Sequence, residues 1–528
     1  VAGNNAASEF NPNGPGGIDN RYAQDRDNKL LETYLNYTKD LGTAGRLELL
    51  GGYSYQDFLR NAPFFFGRRP NGDLINPAQL EAFPDKSQYT LISYYGRLNY
   101  NFNDRYLFTA TLRNDISSRF SEENRSGIFP AAALAWRIKG EDFLANSTFI
   151  SDLKLRVGYG ITGQQDIGIN DYPALARYIN GESTVSYPIG GVYTIPVRRA
   201  PSDPNIKWEE TTTYNAGLDY GFVDGRLTGT VDVYLRKTKD LLNEFDVPAG
   251  SNASNRLFTN IGSLENKGLE LGLVGVVAQT TDFNWSLTAN ATFNRNKITQ
   301  LTLNDNPNSL GQRVGGIGGG TGSNIQTNSI GFPTRSFFVL KQKYDSNGNP
   351  ILPSATATDL QSFEDLDGNG IINEQDLYRY KSPAPTTILG LGSNMSYRKV
   401  NFAFTMRANL GNYAYNNIAS SSTLATIFPA QAFLSNTTRY FQETQATGVG
   451  TNYRLSDYYV QNASFLRMDN ITVGYTMGEE SNINISLAVQ NAFVITKYDG
   501  IDPEIFDGID NNLYPRARTY TIGVNFGF

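Results

Sequence analysis

The last ten residues are Thr519-Tyr520-Thr521-Ile522-Gly523-Val524-Asn525-Phe526-Gly527-Phe528. Every even position from Tyr520 to Phe528 is apolar; every odd one is small or polar. Side chains on a β-strand alternate between two faces, so a period of two marks a strand with one apolar face. The period recurs upstream. Leu227, Gly229, Val231, Val233 and Leu235 alternate with Thr228, Thr230, Asp232, Tyr234 and Arg236. Trp285, Leu287, Ala289, Ala291 and Phe293 alternate with Ser286, Thr288, Asn290, Thr292 and Asn294. The same holds for Phe402, Phe404, Met406 and Ala408, for Ile483, Ile485, Leu487 and Val489, and for Leu153, Leu155, Val157, Tyr159 and Ile161.

Between these runs, some connections are short and turn-like. Asn103-Asp104-Arg105, Asp224-Gly225 and Lys399-Val400 separate neighbouring runs, as Asx- and Gly-bearing turns do in antiparallel hairpins. Others are long, over 163–208, 304–333 and 412–459. Short turns at one end and long loops at the other describe an outer-membrane barrel. The chain reads as all-β, with about fourteen to sixteen strands of roughly 9–13 residues, the length that crosses a bilayer when tilted. A soluble sandwich or propeller also alternates, but its strands are usually about 5–6 residues. The polar face is also mostly Asn, Thr, Ser and Gly, not the Lys and Glu of a solvated surface. Aromatics near strand ends (Tyr89, Tyr94, Tyr95, Tyr458, Tyr459, Phe526 and Phe528) are expected in girdles at the membrane interfaces.

Composition narrows the chemistry. The 528 residues include no His and no Cys. The chain therefore offers no Ser-His-Asp triad, Cys nucleophile, His/Cys zinc site, haem axial His or disulfide. Lys plus Arg is 45 against 51 Asp plus Glu, a net charge of −6 without a basic run, so nucleic acid is not an expected partner. Tyr 32 and Phe 31 with only 18% charged residues argue against disorder. No apolar run approaches the roughly 18–20 residues of a membrane helix, and no secretory signal opens the chain. The carboxylate pairs Glu209/Glu210 and Glu122/Glu123 have no partner pattern for acid–base work and read as solvated charges. The chain is not expected to be an enzyme.

Further segments carry a resemblance. They are Tyr95-Gly-Arg-Leu-Asn-Tyr-Asn-Phe-Asn-Asp-Arg-Tyr106, Arg113-Asn-Asp-Ile-Ser-Ser-Arg-Phe120, Phe129-Pro-Ala-Ala-Ala-Leu-Ala-Trp-Arg137 and Leu153-Lys-Leu-Arg-Val-Gly-Tyr-Gly-Ile-Thr-Gly163. Next come Trp208-Glu-Glu-Thr-Thr-Thr-Tyr-Asn-Ala-Gly217 and Asn260-Ile-Gly-Ser-Leu-Glu-Asn-Lys-Gly-Leu-Glu270. Phe465-Leu-Arg-Met-Asp-Asn-Ile-Thr-Val-Gly474, Val489-Gln-Asn-Ala-Phe493 and Pro515-Arg-Ala-Arg-Thr-Tyr520 complete them. In this order they resemble the C-terminal part of SusC/RagA-like TonB-dependent outer-membrane transporters.

The resemblance implies a barrel of 22 strands with a plug domain and a TonB box. Residues 1–528 then correspond to the C-terminal portion of one barrel domain, with the plug absent and Val1 not the biological start. It further implies import of glycan fragments or oligopeptides across the bacterial outer membrane, energised through TonB. A SusD-like surface lipoprotein would act as lid, and the pair would be capable of forming a homodimer. Outer-membrane lipid is the expected surround. Phe528 matches the aromatic C-terminal signal of outer-membrane barrels. The alternative is a non-energised pore or a structural scaffold in an outer-membrane assembly; a soluble enzyme on a β fold lacks any catalytic constellation.

One motif is metal-like. Asp365-Leu-Asp367-Gly-Asn369-Gly370-Ile371-Ile372-Asn373-Glu-Gln-Asp376 has the spacing of an EF-hand loop. Asp365, Asp367, Asn369 and Asn373 supply side-chain oxygens, Ile371 a carbonyl, and Asp376 stands at the twelfth position where Glu is usual. The expected ion is structural Ca2+; the bland reading is an Asx/Gly turn without one. Similar loops occur in the resembled family. Gly315-Gly-Ile-Gly-Gly-Gly-Thr-Gly322 lacks the Lys-Ser/Thr of a phosphate loop and reads as a flexible exposed loop. Phe64-Phe65-Phe66 with Arg68-Arg69 reads as a contact loop or as packing in the barrel mouth. Asn36-Tyr37-Thr38 has the form of a glycosylation acceptor, discounted in a bacterial strand. No substrate-binding residue is assigned.

Overall fold

The alternating runs pair into one antiparallel sheet of 15 strands. In chain order these are β1 (Asp25–Asp40), β2 (Arg46–Ala62), β3 (Asp85–Phe102), β4 (Tyr106–Ser117), β5 (Ser126–Arg137), β6 (Ile150–Gln164), β7 (Glu209–Phe222), β8 (Leu227–Asp246), β9 (Arg256–Gln279), β10 (Phe283–Gln300), β11 (Thr387–Tyr397), β12 (Val400–Leu410), β13 (Phe465–Met477), β14 (Ile483–Thr496) and β15 (Thr519–Phe526). Each pairs with its neighbour in sequence, which makes an up-and-down meander with β1 and β15 at its edges. The computed structural model describes residues 21–68, 73–74, 85–166, 171–180, 186–247, 250, 256–302, 309–317, 323–351, 358–422, 438–444, 452–477, 483–511 and 513–526, with 2–3 and 18–19. Val1, Arg69, residues 318–322 and Phe528 lie outside the described residues.

The register shows what the period of two builds. Tyr106, Trp136, Leu155, Leu218, Val231, Leu271, Ala291 and Leu389 fall in one row from β4 to β11. The next row on the other face holds Arg156, Gly217, Asp232, Glu270 and Thr292. Among the described residues the apolar face is open at many positions: Ile522 is 75% exposed and Val233 47%. Such a continuous apolar surface needs lipid as its solvent. No helix among the described residues is long and apolar enough to cross a membrane.

The hairpin ends follow the turn chemistry. Asn103 and Asp104 both take positive φ, 51° and 52°, and Arg105 N–H closes on the Phe102 carbonyl. Asx residues tolerate that left-handed backbone, and its twist suits a hairpin. The β11–β12 turn is Arg398-Lys399, one residue earlier than the sequence reading of Lys399-Val400, because Val400 already pairs with Tyr397.

Strand length departs more. β9 runs for 24 residues and β8 for 20, well past the expected 9–13. Bulges beside Leu241 shift the register, so the alternation breaks there while the pairing continues. The girdle reading is also corrected. Tyr94 and Tyr95 are adjacent on β3 and so point to opposite faces; Tyr95 lies on the polar face under the Arg113 guanidinium. Tyr89 has the same parity and sits beneath Arg119. Tyr459, 1% exposed, is core rather than girdle.

By the barrel rule the long connections mark the extracellular end. The described parts of three of them, 301–386, 411–464 and 497–518, are folded. Gln312–Gly316, Asn324–Asn328, Ser336–Leu340 and Leu377–Arg379 form a four-stranded sheet. Tyr413–Asn416 pairs with Val460–Asn462 and, in parallel, with Ile509–Asp510. Ile325, Phe337, Val339, Tyr415, Tyr459 and Ile509 close a core between them. Gly315 and Gly316 end a strand and Ile317 joins that core, so the described start of the glycine-rich stretch is not a flexible loop.

Candidate functional site

The acidic loop 365–376 lies in the β10–β11 connection, and its ends are anchored by packing. Phe363, Ile372 and Leu377 join Phe338 and Leu340 in a second buried cluster. Held this way, Asp365, Asp367 and Asp376 bring carboxylate oxygens within 4.8 Å of one another. Asp365 Oδ1 accepts the Gly368 N–H at 2.8 Å and Oδ2 accepts that of Gly370 at 2.8 Å. Gly370 has φ +82°, a conformation that glycine adopts without strain. These backbone donors, Gly370 first, outweigh the desolvation and hold the Asp365 carboxyl below its ordinary value. Asp376 is fully buried, with Oδ1 on the Leu366 N–H at 2.7 Å and Oδ2 on that of Asn373 at 2.8 Å.

The other members of the expected ligand set are placed differently. Asn369 Oδ1 accepts the Ile371 N–H at 2.7 Å, while its amide nitrogen donates to Asp367 Oδ2. Asn373 Oδ1 caps the following turn through the Gln375 N–H at 2.8 Å. Ile371 has an exposed side chain. The structure therefore gathers the three aspartates and leaves Asn369 and Asn373 engaged with backbone. No Lys or Arg pairs with the three aspartates among the described residues. Three hard oxygen donors without a counter-cation suit the charge and hardness of calcium.

A second charged assembly escaped the sequence reading. Arg407 of β12 and Arg467 of β13 stand directly opposite each other on the polar face. Asp502 and Glu504 of the 497–518 connection fold down onto them. Arg467 reaches Asp502 at 2.7 Å, with side chains only 3% and 7% exposed. Arg407 holds Glu504 at 2.5 Å and Asp469 at 2.9 Å, and Arg516 closes on both Asp502 and Glu504. Burial alone would raise the Glu504 carboxyl. The hydrogen bonds and charge of Arg407, with the charges of Arg516 and Arg467, overcome it and hold Glu504 below its ordinary value. The parity of Arg407, between Thr405 and Asn409 on the polar face, is the sequence signal that points to it.

Elsewhere the polar face is lined by paired charge and amide groups. Arg156 reaches Asp219 at 2.7 Å and Asp232 at 2.9 Å, and Lys154 shares Asp219. Tyr234 lies over Gly268, where a Cβ would come within 2.5 Å of its hydroxyl, and donates to Asn294 Oδ1. A concavity of about 510 Å3 is lined by Asn284, Ser286, Asn394, Asn401, Thr472 and Asn484, among others. Such a surface offers hydrogen bonds along a wet path.

The remaining sequence candidates are settled locally. Phe64 and Phe66 pack edge to face at 5.0 Å, and Phe65 is 42% exposed. Glu122 and Glu123 are exposed on a single helical turn. Glu209, expected to be solvated, is half-buried and accepts the Leu242 N–H at 2.8 Å, while Glu210 pairs with Lys239. In the loop body, Asp457 accepts the Tyr378 hydroxyl and the Gln342 N–H; burial holds its carboxyl above the ordinary range despite them.

The family model for the TonB dependent receptor-like β-barrel matches residues 2–363. TonB-dependent receptor SusC of Bacteroides thetaiotaomicron is 42% identical over 511 residues, covering 94% of this chain and 49% of that protein. TonB-dependent receptor P3 of Formosa agariphila is 30% identical over 545 residues, covering 95% and 52%. The chain thus spans about half the length of the curated relatives it matches. Among solved structures, the RagAB peptide transporter shares the fold with a TM-score of 0.75 at 22% identity, over 96% of this chain and 56% of that one. The chain belongs to the TonB-dependent receptor-like β-barrel family, as a SusC-like barrel of the outer membrane.

Proposed function

We propose that the protein containing this chain imports glycan fragments or oligopeptides across the outer membrane, with energy supplied through TonB. The observation that carries this reading is the 42% identity to SusC over nearly the whole wall and loop body. The barrel wall supplies the polar path, and the loop body supplies the surface facing the medium. A SusD-like lipoprotein would bind over that surface as a lid, and two such pairs would associate. The likeness to a peptide importer in fold keeps oligopeptides beside glycans as substrate class.

The test is uptake of labelled oligosaccharides and oligopeptides by cells carrying the full-length protein, with and without functional TonB and a proton gradient. Uptake that stops without TonB supports the reading. Uptake that continues unchanged would replace it with the non-energised pore, and no uptake at all with an intact assembly would favour a scaffold.

We also infer that Asp365, Asp367 and Asp376 hold a calcium ion, with Asn369, Asn373 and the Ile371 carbonyl able to complete its shell after local rearrangement. The ion would join the two ends of the loop and offset three converging negative charges. Calcium titration of the full-length protein should give one site that Asp365→Asn removes. Chelation should speed proteolysis within 358–380. Equal proteolysis with and without calcium would reject the site.

A further inference from the structure

The apolar face of β8–β10 ends in a group of cations. One row reads Tyr159, Tyr214, Leu235, Lys267 and Arg295 from β6 to β10. The row above it holds Lys237, Glu265 and Lys297. The row below is Val157, Ala216, Val233, Leu269 and Phe293, wholly apolar. All three rows share the parity of Val231 and Leu271, so these side chains lie on the lipid side of the wall. The change from apolar to basic falls at the membrane edge. From Leu227 at the short-turn end, β8 climbs about 25 Å to Lys237 at ~3.4 Å per residue and a ~40° tilt, matching a belt about 25 Å tall. Tyr159 and Tyr214, with ring centroids 5.3 Å apart, mark the same level.

Lys237, Lys267, Arg295 and Lys297 are all exposed. Lys267 and Arg295 face each other directly across β9 and β10, a like-charge placement that costs stability. Among the described residues none of the four cations makes an ion pair, although Lys239 nearby pairs with Glu210. Glu265 is the single acid set between them. We propose that this patch binds the phosphorylated headgroup of an outer-leaflet lipid. The phosphate would settle between Lys267 and Arg295 while Lys237 and Lys297 flank it. The acyl chains would lie on the apolar rows beneath, and the aromatic pair would sit at the headgroup boundary. The occupant is a lipid, not a free anion, because the cations are continuous with the lipid-facing surface.

The test uses the full-length protein in phosphatidylethanolamine nanodiscs containing either diphosphorylated or dephosphorylated lipid A. Retained lipid is counted by native mass spectrometry, and folding is checked by heat-modifiability on a gel. Wild type should retain the phosphorylated form selectively. The Lys267→Gln/Arg295→Gln variant should lower retention about thirtyfold, since each cation near an anionic lipid surface contributes a factor of roughly five. Arg295→Lys should preserve it. Glu265→Gln, which removes the acid set between the cations, should raise it about fivefold, and this variant decides the matter if the double variant fails to fold. Equal retention of the dephosphorylated lipid, no loss in the double variant, or no rise with Glu265→Gln would overturn the proposal. Displacement of the lipid by millimolar inorganic phosphate would overturn it in favour of a free-anion site.

Discussion

The barrel wall and the loop body use apolar residues in opposite ways. On the wall, Ile522, Val233 and Leu487 stand on one face without protein neighbours above them, and hydrogen-bonded pairing along the strands holds the layer together. In the loop body, Phe337, Phe338, Val339 and Tyr415 are wholly buried among residues from three separate connections, while the strands there are only 2 to 5 residues long. The wall is stabilised by backbone pairing and lipid, the loop body by side-chain packing. One chain thus contains a membrane solution and a soluble-protein solution to the same burial problem.

Substitutions should separate the two regions. Phe337→Ala should have the largest effect, about 3–5 kcal/mol within the loop body, because it opens a cavity that neighbours cannot fill. Limited proteolysis should then cut the 301–386 and 411–464 connections while the barrel still shows heat-modifiable migration. Loss of both together would erase the distinction between the regions.

Arg467→Ala comes next, at about 3 kcal/mol, since it removes the buried partner of Asp502 and leaves that carboxylate to the more exposed Arg516. Hydrogen exchange should rise in 497–518, the connection that this pair ties to the wall. A milder effect is expected from pH. Glu504 is held below its ordinary value when folded, so the unfolded state binds its proton first as pH falls. Its contribution is therefore full above the ordinary carboxylate range and is lost as pH drops through the lowered folded value. Exchange in 497–518 should increase over that acid window, and Glu504→Gln should flatten the dependence.

Val233→Ala on the lipid face should have the smallest effect, below about 1 kcal/mol, because lipid chains flow into the space and no cavity remains. A refolding measurement in liposomes reads it directly. A cost as large as that of Phe337→Ala would show that the wall is packed against protein there.

The contrast also explains what could be read from the sequence. The wall was legible because lipid selects one face and water the other, which writes a period of two into Tyr520–Phe526 and Leu227–Leu235. It blurred at Leu241, where bulges change parity although pairing continues. The loop body was not legible as a folded unit. Ser336–Leu340 is buried on both faces and so shows no alternation, and its partners Tyr415 and Ile509 are distant in sequence. The aspartates at 365, 367 and 376 were found by spacing, because a loop that converges on one point must place its oxygens at fixed offsets. The Arg467–Asp502 pair was missed because its partner comes from a connection without periodicity. The basic edge on β8–β10 needs the register: only pairing reveals that Lys267 faces Arg295.

The parallel pairing of Tyr415 with Ile509 and Asn416 with Asp510 has a consequence for the order of assembly. Tyr415 lies between β12 and β13, Ile509 between β14 and β15. Their contact closes a long loop, and that entropy must be met before the packing around Tyr415 returns anything. The core shared by these connections therefore cannot be completed until β13 and β14 are in register and the 497–518 connection has been delivered to the same end of the wall. Its closure reports that the C-terminal part of the wall has been built correctly, and a strand slipped by one residue there would leave that core open.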